Sequence, residues 1–145
     1  MFTKKTAIEK LERVNFCLKR VKLEGKNDLM PSELSGGMTK RVAIARAIVM
    51  QPKYLLCDEP NSGLDPKTSI IIDNLIQEIT KEYNITTIVN THDMNSVIEI
   101  GENITFINKG EIRWKGNKDE LLDSDNKELN DFVFASELLK RLKKA

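Results

Sequence analysis

Two short apolar runs separated by a helix-length segment constrain this chain more than any other feature. Tyr54-Leu55-Leu56-Cys57 follows Pro52 and is too short for a helix, whereas Ile85-Thr86-Thr87-Ile88-Val89 is β-branched throughout. Between them, after Pro66, the residues Ile70, Ile71, Ile72, Leu75, Ile76 and Ile79 continue a helix to about Lys81. Strand, helix, strand in this order implies a parallel crossover. An apolar run without polar alternation reads as a buried parallel strand. The predicted fold class is α/β with parallel core strands.

Open α/β sheets bind ligands at the carboxyl ends of their strands, and the first run ends in adjacent carboxylates, Asp58 and Glu59. Paired acids there suit metal-nucleotide chemistry: the Asp can hold Mg2+ with waters retained in its shell, and the Glu can polarise an attacking water. Pro60-Asn61-Ser62-Gly63 then turns the chain, and Asp65 with Pro66 reads as N-cap and first residue of the next helix. Upstream, Ser35-Gly36-Gly37 opens a helix running from Thr39 to Val49. Its apolar stripe is Val42, Ile44, Ala45, Ala47 and Ile48, and Lys40, Arg41 and Arg46 form the polar side. Free N–H groups and the positive dipole end meet at such a mouth, and the glycines let an anion approach the backbone. Taken alone, the same residues also fit an ordinary capped helix, and residues 60–63 an ordinary surface turn.

The ordered set Leu34-Ser35-Gly36-Gly37-Met38, Tyr54 to Pro60, Ser62-Gly63-Leu64-Asp65 and Thr91-His92-Asp93 resembles the ATP-binding subunits of ABC transporters. A lone histidine is usually a surface or core residue, but His92 follows the strand after the acidic one, where that family carries its switch histidine. The resemblance implies a partial P-loop NTPase fold and Mg2+-dependent ATP hydrolysis. Glu59 and His92 would be catalytic, with Asp58 at the metal; Ser35, Gly36, Gly37 and Asp65 would bind nucleotide. His92 would contact the γ-phosphate and help position Glu59 and water. Two such domains would pair head to tail, the signature of one facing the ATP of the other and the Ser62–Asp65 loop lying across the interface. Transmembrane permease subunits would carry the cargo, placing the protein in the cytoplasm, peripheral on the inner membrane face. Met38 stands where the family usually has Gln, and with Asn61 to Asp65 it looks like the lipid-trafficking Mla-type subgroup. A non-transport ABC module acting as a nucleotide-gated binding element is the alternative; an inert scaffold is the third reading.

No stretch fits Gly-x-x-x-x-Gly-Lys-Ser/Thr, since Gly25-Lys26 has Arg20 at the first glycine position and Asn27 after the lysine. The 145 residues therefore look like the C-terminal portion of a nucleotide-binding domain. The expectation is a fragment that cannot hydrolyse ATP alone and that leaves sheet edge and apolar face exposed. Lys and Arg number 23 against 22 Asp and Glu, a formal net charge of +1, which gives no argument for a nucleic-acid partner. Cys17 and Cys57 read as reduced core residues. No apolar run approaches the length of a membrane span, and the amino end lacks a signal-peptide pattern.

The rest of the chain divides into a helical and signature region over 1–50, a core over 51–107 and a C-terminal hairpin with helices over 108–145, within one partial domain. Thr6 to Lys22 spaces Ile8, Leu11, Val14, Leu18 and Val21 as one helical stripe, with Lys10, Arg13, Lys19 and Arg20 on a solvated side. By resemblance this helix belongs to the subdomain that touches the membrane partner. Met94 to Ile100 is a short helix ended by Gly101. Residues 103–107 and 111–115 flank Asn108-Lys109-Gly110 as a hairpin expected to close the sheet, with Trp114 packing one hairpin face. Gly116 to Leu122 resembles the family's short helix after the hairpin. Glu128 to Lys144 is an amphipathic tail with Leu129, Phe132, Val133, Leu138, Leu139 and Leu142.

Overall fold

The computed structural model describes residues 5–135, which fall into two compact units with the division after His92. In the first, helix α1 spans Ala7–Arg20 and starts at a capping box: Thr6 Oγ1 accepts from the Glu9 N–H, and Glu9 Oε2 accepts from the Thr6 N–H. A 3-10 turn at Pro31–Glu33 leads into α2, Gly36–Ile48, capped by Ser35. Strand β1 (Tyr54–Asp58), helix α3 (Pro66–Tyr83) and strand β2 (Thr86–Asn90) form the expected crossover. The strands pair in parallel, with Tyr54 opposite Thr86 and Asp58 opposite Asn90. Asn84, at φ 49°, ends α3 in the left-handed conformation that Asn tolerates, and the Thr80 and Thr87 hydroxyls share a hydrogen bond of 2.6 Å between α3 and β2.

The core of this unit joins Cys17, Val21 and Leu23 to Ile44, Ala45 and Ile48 of α2 and to Ile72, Leu75, Ile76 and Ile79 of α3. Burial departs from the sequence pattern in two places. On α1 the spaced residues Ile8, Leu11 and Val14 are exposed, and the buried positions lie near the helix end. On β1 only one face is covered: Leu55 is buried and Cys57 half-buried, whereas Tyr54 and Leu56 are 68% and 73% exposed, as is Ile88 of β2 at 59%. The run is thus buried on one face only, and the exposed apolar face expected from the sequence is present. Cys57 and Val89 pack against the helical core while the opposite face of the two-stranded sheet is open.

Nor is the charged side of α1 merely solvated. Arg13 Nε donates to the Val49 carbonyl at 3.1 Å and its Nη2 to the Ile48 carbonyl at 2.7 Å, at the end of α2. Arg41 returns the contact, donating to the Lys22 carbonyl at 3.2 Å and the Val21 carbonyl at 3.4 Å, at the end of α1. Each guanidinium thus satisfies terminal carbonyls of the other helix and meets its negative dipole end. Arg20 pairs with Glu82 of α3.

The second unit begins with α4, Met94–Ile100, then β3, Ile104–Asn108, and β4, Glu111–Gly116. Lys109 and Gly110 turn the hairpin with φ of 52° and 79°, the two positive angles that a tight two-residue turn requires. The hairpin is a separate two-stranded antiparallel sheet and does not close the parallel one. Its inner face, with Phe106 opposite Trp114, packs on Leu121 of α5 (Lys118–Leu122) and on Leu129 and Val133 of α6 (Lys127–Val133). That local packing satisfies its apolar face without a third strand. Leu138, Leu139 and Leu142 of the expected tail lie outside the described residues.

Two charge-assisted hydrogen bonds at a partly buried helix end contribute about 1.5–3 kcal/mol. Arg13→Met is expected to lower the urea midpoint by a corresponding amount at unchanged m-value, and an unaltered midpoint would mean the guanidinium does not cap α2.

Candidate functional site

The site grows from the end of the parallel ladder. Asp58 is the last residue of β1, and its Oδ1 accepts from Asn90 Nδ2 at 2.7 Å, directly across the register. One residue further, the Glu59 N–H donates to the Asn90 carbonyl at 2.9 Å, so the ladder extends by one rung. There the backbone leaves the strand: Glu59 has φ 46°, a left-handed conformation that costs a non-glycine residue about 1–2 kcal/mol and is found at functional turns. The Glu59 carbonyl accepts from the Ser62 N–H at 3.2 Å and from Lys40 Nζ of α2 at 3.1 Å.

This turn presents the Glu59 carboxylate to the end of β2. Oε1 accepts from the His92 N–H at 3.2 Å and lies 2.8 Å from His92 Nδ1. An ionised carboxylate only accepts, so Nδ1 carries the proton and, in the neutral ring, Nε2 is the acceptor. The His92 side chain is 76% exposed and that of Glu59 31%, so the pair sits at an accessible rim.

A second group forms where α2 and α3 begin. Ser35 Oγ accepts from the Met38 N–H at 3.3 Å, which makes it an N-cap, with Gly36 and Gly37 as the first two helical residues. Gly37 is buried, and a Cβ there would stand 2.7 Å from Thr68 Cγ2. Its missing side chain is thus what lets α2 approach α3. Asp65 caps α3, accepting from the Thr68 N–H at 3.0 Å and from the Thr68 hydroxyl. These bonds, the hydroxyl's first, hold the Asp65 carboxyl below the usual carboxylate range.

The structure therefore gathers Asp58, Glu59 and His92 at the strand ends, and Ser35, Gly36, Gly37 and Asp65 at the two helix starts. Lys40 runs from the second group to the first. Sequence reading missed Lys40, Asn90 and Thr68, whose roles depend on register and helix approach. It also missed Asp73, an acid inside the apolar stripe of α3 and thus a visible signal. Asp73 and Asn61 are both 4% exposed, and the Asn61 amide donates to the Asp73 carboxylate at 3.4 Å. Burial pushes the Cys17 and Cys57 thiols up, away from the reactive thiolate. Among the described residues no group of three or more His, Cys, Asp or Glu could hold a metal by itself. An exposed Asp58 fits a cation that keeps its waters and takes only one or two protein carboxylates along with substrate phosphates.

The first unit is thus an α/β arrangement with its acids and histidine at the carboxyl ends of parallel strands, where open α/β sheets bind ligands. The family model described as ABC transporter matches residues 2–62. Over 128 residues, 88% of this chain and 40% of the relative, the chain is 45% identical to the methionine import ATP-binding protein MetN of Clostridium tetani. It is 37% identical over 132 residues, 91% of this chain and 36% of the relative, to the sulfate/thiosulfate import ATP-binding protein CysA 2 of Shewanella oneidensis. The dimeric ATP-binding cassette MJ0796, solved in a post-hydrolysis state with ADP and Pi, aligns with a TM-score of 0.69 at 36% identity, covering 79% of this chain and 49% of that one. Over most of its length the chain is similar to part of the ATP-binding domain of ABC transporters. It spans about two fifths of the length of the curated relatives it matches.

Adding a methyl at Gly37 overpacks the contact with Thr68. Gly37→Ala is expected to destabilise by about 1–3 kcal/mol, and adding Thr68→Ser, which removes Cγ2 but keeps the hydroxyl, should restore most of it. A neutral or stabilising Gly37→Ala would show that the helix starts are not in close contact.

Proposed function

We propose that this chain supplies the signature, acidic and switch-histidine portion of the ATP-hydrolysing subunit of an ABC importer. The observation that carries the reading is the Glu59–His92 hydrogen bond at the end of the parallel strands. Glu59 is the base that orients the attacking water and takes its proton. An ionised carboxylate has about four acceptor sites, so bonds from the His92 N–H and ring leave capacity for water. His92 restricts the carboxylate and would contact the γ-phosphate, while Asp58 would hold Mg2+, which would neutralise charge on the phosphates. Ser35, Gly36 and Gly37 offer the amino end of α2 to the γ-phosphate of an ATP held mainly by a second nucleotide-binding domain, and Asp65 lies in the loop between the two subunits. Permease subunits in the membrane carry the cargo, with this subunit on the cytoplasmic side. Among the described residues no helix is long and apolar enough to cross a membrane.

The reported relatives are importers of methionine and of sulfate or thiosulfate, and import is the direction we adopt. The Mla-type lipid-trafficking reading gains no support from them. Its two markers have inward-facing explanations: Met38 packs against the helical core, and Asn61 is buried on Asp73.

The test joins this chain to the upstream segment of a methionine-import relative and measures phosphate release with Mg2+ and ATP. Glu59→Gln is expected to slow turnover by about 100-fold or more, with ATP binding retained. Equal turnover in parent and variant would remove Glu59 from the reaction.

A further inference from the structure

We propose that Lys40 is a positioning residue: from the glycine-opened helix it holds the Glu59 carbonyl, and so aims the Glu59 carboxylate at His92. The proposal rests on the functional reading above and adds a residue which that reading does not use. Glu59 is fixed at its N–H by Asn90 and at its side chain by His92, and its left-handed φ is a conformation that further bonds from the surroundings stabilise. The Glu59 carbonyl points at α2, where Lys40 Nζ donates to it at 3.1 Å beside the weaker turn bond from Ser62. Lys40 is half-buried, an uncommon place for a lysine. Among the described residues it forms no ion pair. The adjacent carboxylates of Asp58 and Glu59 accept from Asn90 and His92, and the ammonium is spent on a main-chain carbonyl. A charged donor strengthens such a bond, and the four-carbon stem reaches from the helix that Ser35 caps to the turn that Glu59 opens. The glycine mouth and the acidic turn are thereby tied into one unit.

His92 is the only histidine in the chain, so its ring reports the pair without interference. The experiment is a long-range proton–nitrogen correlation spectrum of the 15N-labelled 145-residue chain at about pH 8.5, where an unperturbed imidazole is neutral. In the parent chain Oε1 selects the Nδ1–H tautomer. Lys40→Met is expected to lower the ratio of Nδ1–H to Nε2–H about tenfold, with backbone amides distant from residues 59–62 unshifted; Lys40→Arg keeps the parent ratio. Should Lys40→Met not fold, Lys40→Leu, which likewise has no donor, is read the same way. A parent ratio in the neutral variant overturns the proposal. A parent ring without Nδ1–H bias overturns the Glu59–His92 pair and the proposal with it. Neither result depends on turnover, so the phosphate-release test of Glu59 stands separately.

Discussion

Everything at the candidate site depends on one parallel ladder of two five-residue strands. Its register sets Asp58 opposite Asn90, gives the Glu59 N–H a carbonyl to bind, and leaves His92 two residues beyond the partner strand's end. A slip of one residue would turn every side chain to the other face. Leu55 and Cys57 would then point away from the helical core and the open positions Tyr54 and Leu56 toward it, so burial on the single covered face fixes the register.

The helical layer meets that ladder through the apolar contacts of Cys57 and Val89 and through Lys40, and charged side chains tie its own helices together. Arg13 and Arg41 close the ends of α2 and α1 reciprocally, which adds to the apolar packing of Cys17 and Val21 on Ile44, Ala45 and Ile48. With α2 so fixed, Gly37 can approach Thr68 and Lys40 can reach Glu59. The charges that appear on the polar side of both helices are therefore part of the architecture. They satisfy helix-end carbonyls that would otherwise lack partners.

The crossover, the caps at Ser35 and Asp65 and the hairpin turn were legible in the sequence, because each rests on local propensity, whereas the pairing of His92 with Glu59 was expected only from the family resemblance. Burial was less legible. Tyr54-Leu55-Leu56-Cys57 reads as a buried strand, and although an exposed apolar face was expected, apolar content alone does not say that Tyr54 and Leu56 are the residues left open. The hairpin carries the expected turn residues, but turn chemistry does not state which sheet a strand joins, and it packs on its own helices. Lys40 and Asn90 act across elements, and nothing in their local spacing marks them. Met38, read as a subgroup marker, is a packing residue.

Native-state amide exchange at Glu59 tests the account most directly, because that N–H forms the rung joining the strand ladder to the turn. The account predicts that it exchanges with the β1 and β2 amides, at least about 100-fold slower than an open chain. Exchange at the open-chain rate while Leu56 and Cys57 remain protected would contradict it, for the ladder would then end before the carboxylate and Glu59 would have no fixed relation to His92.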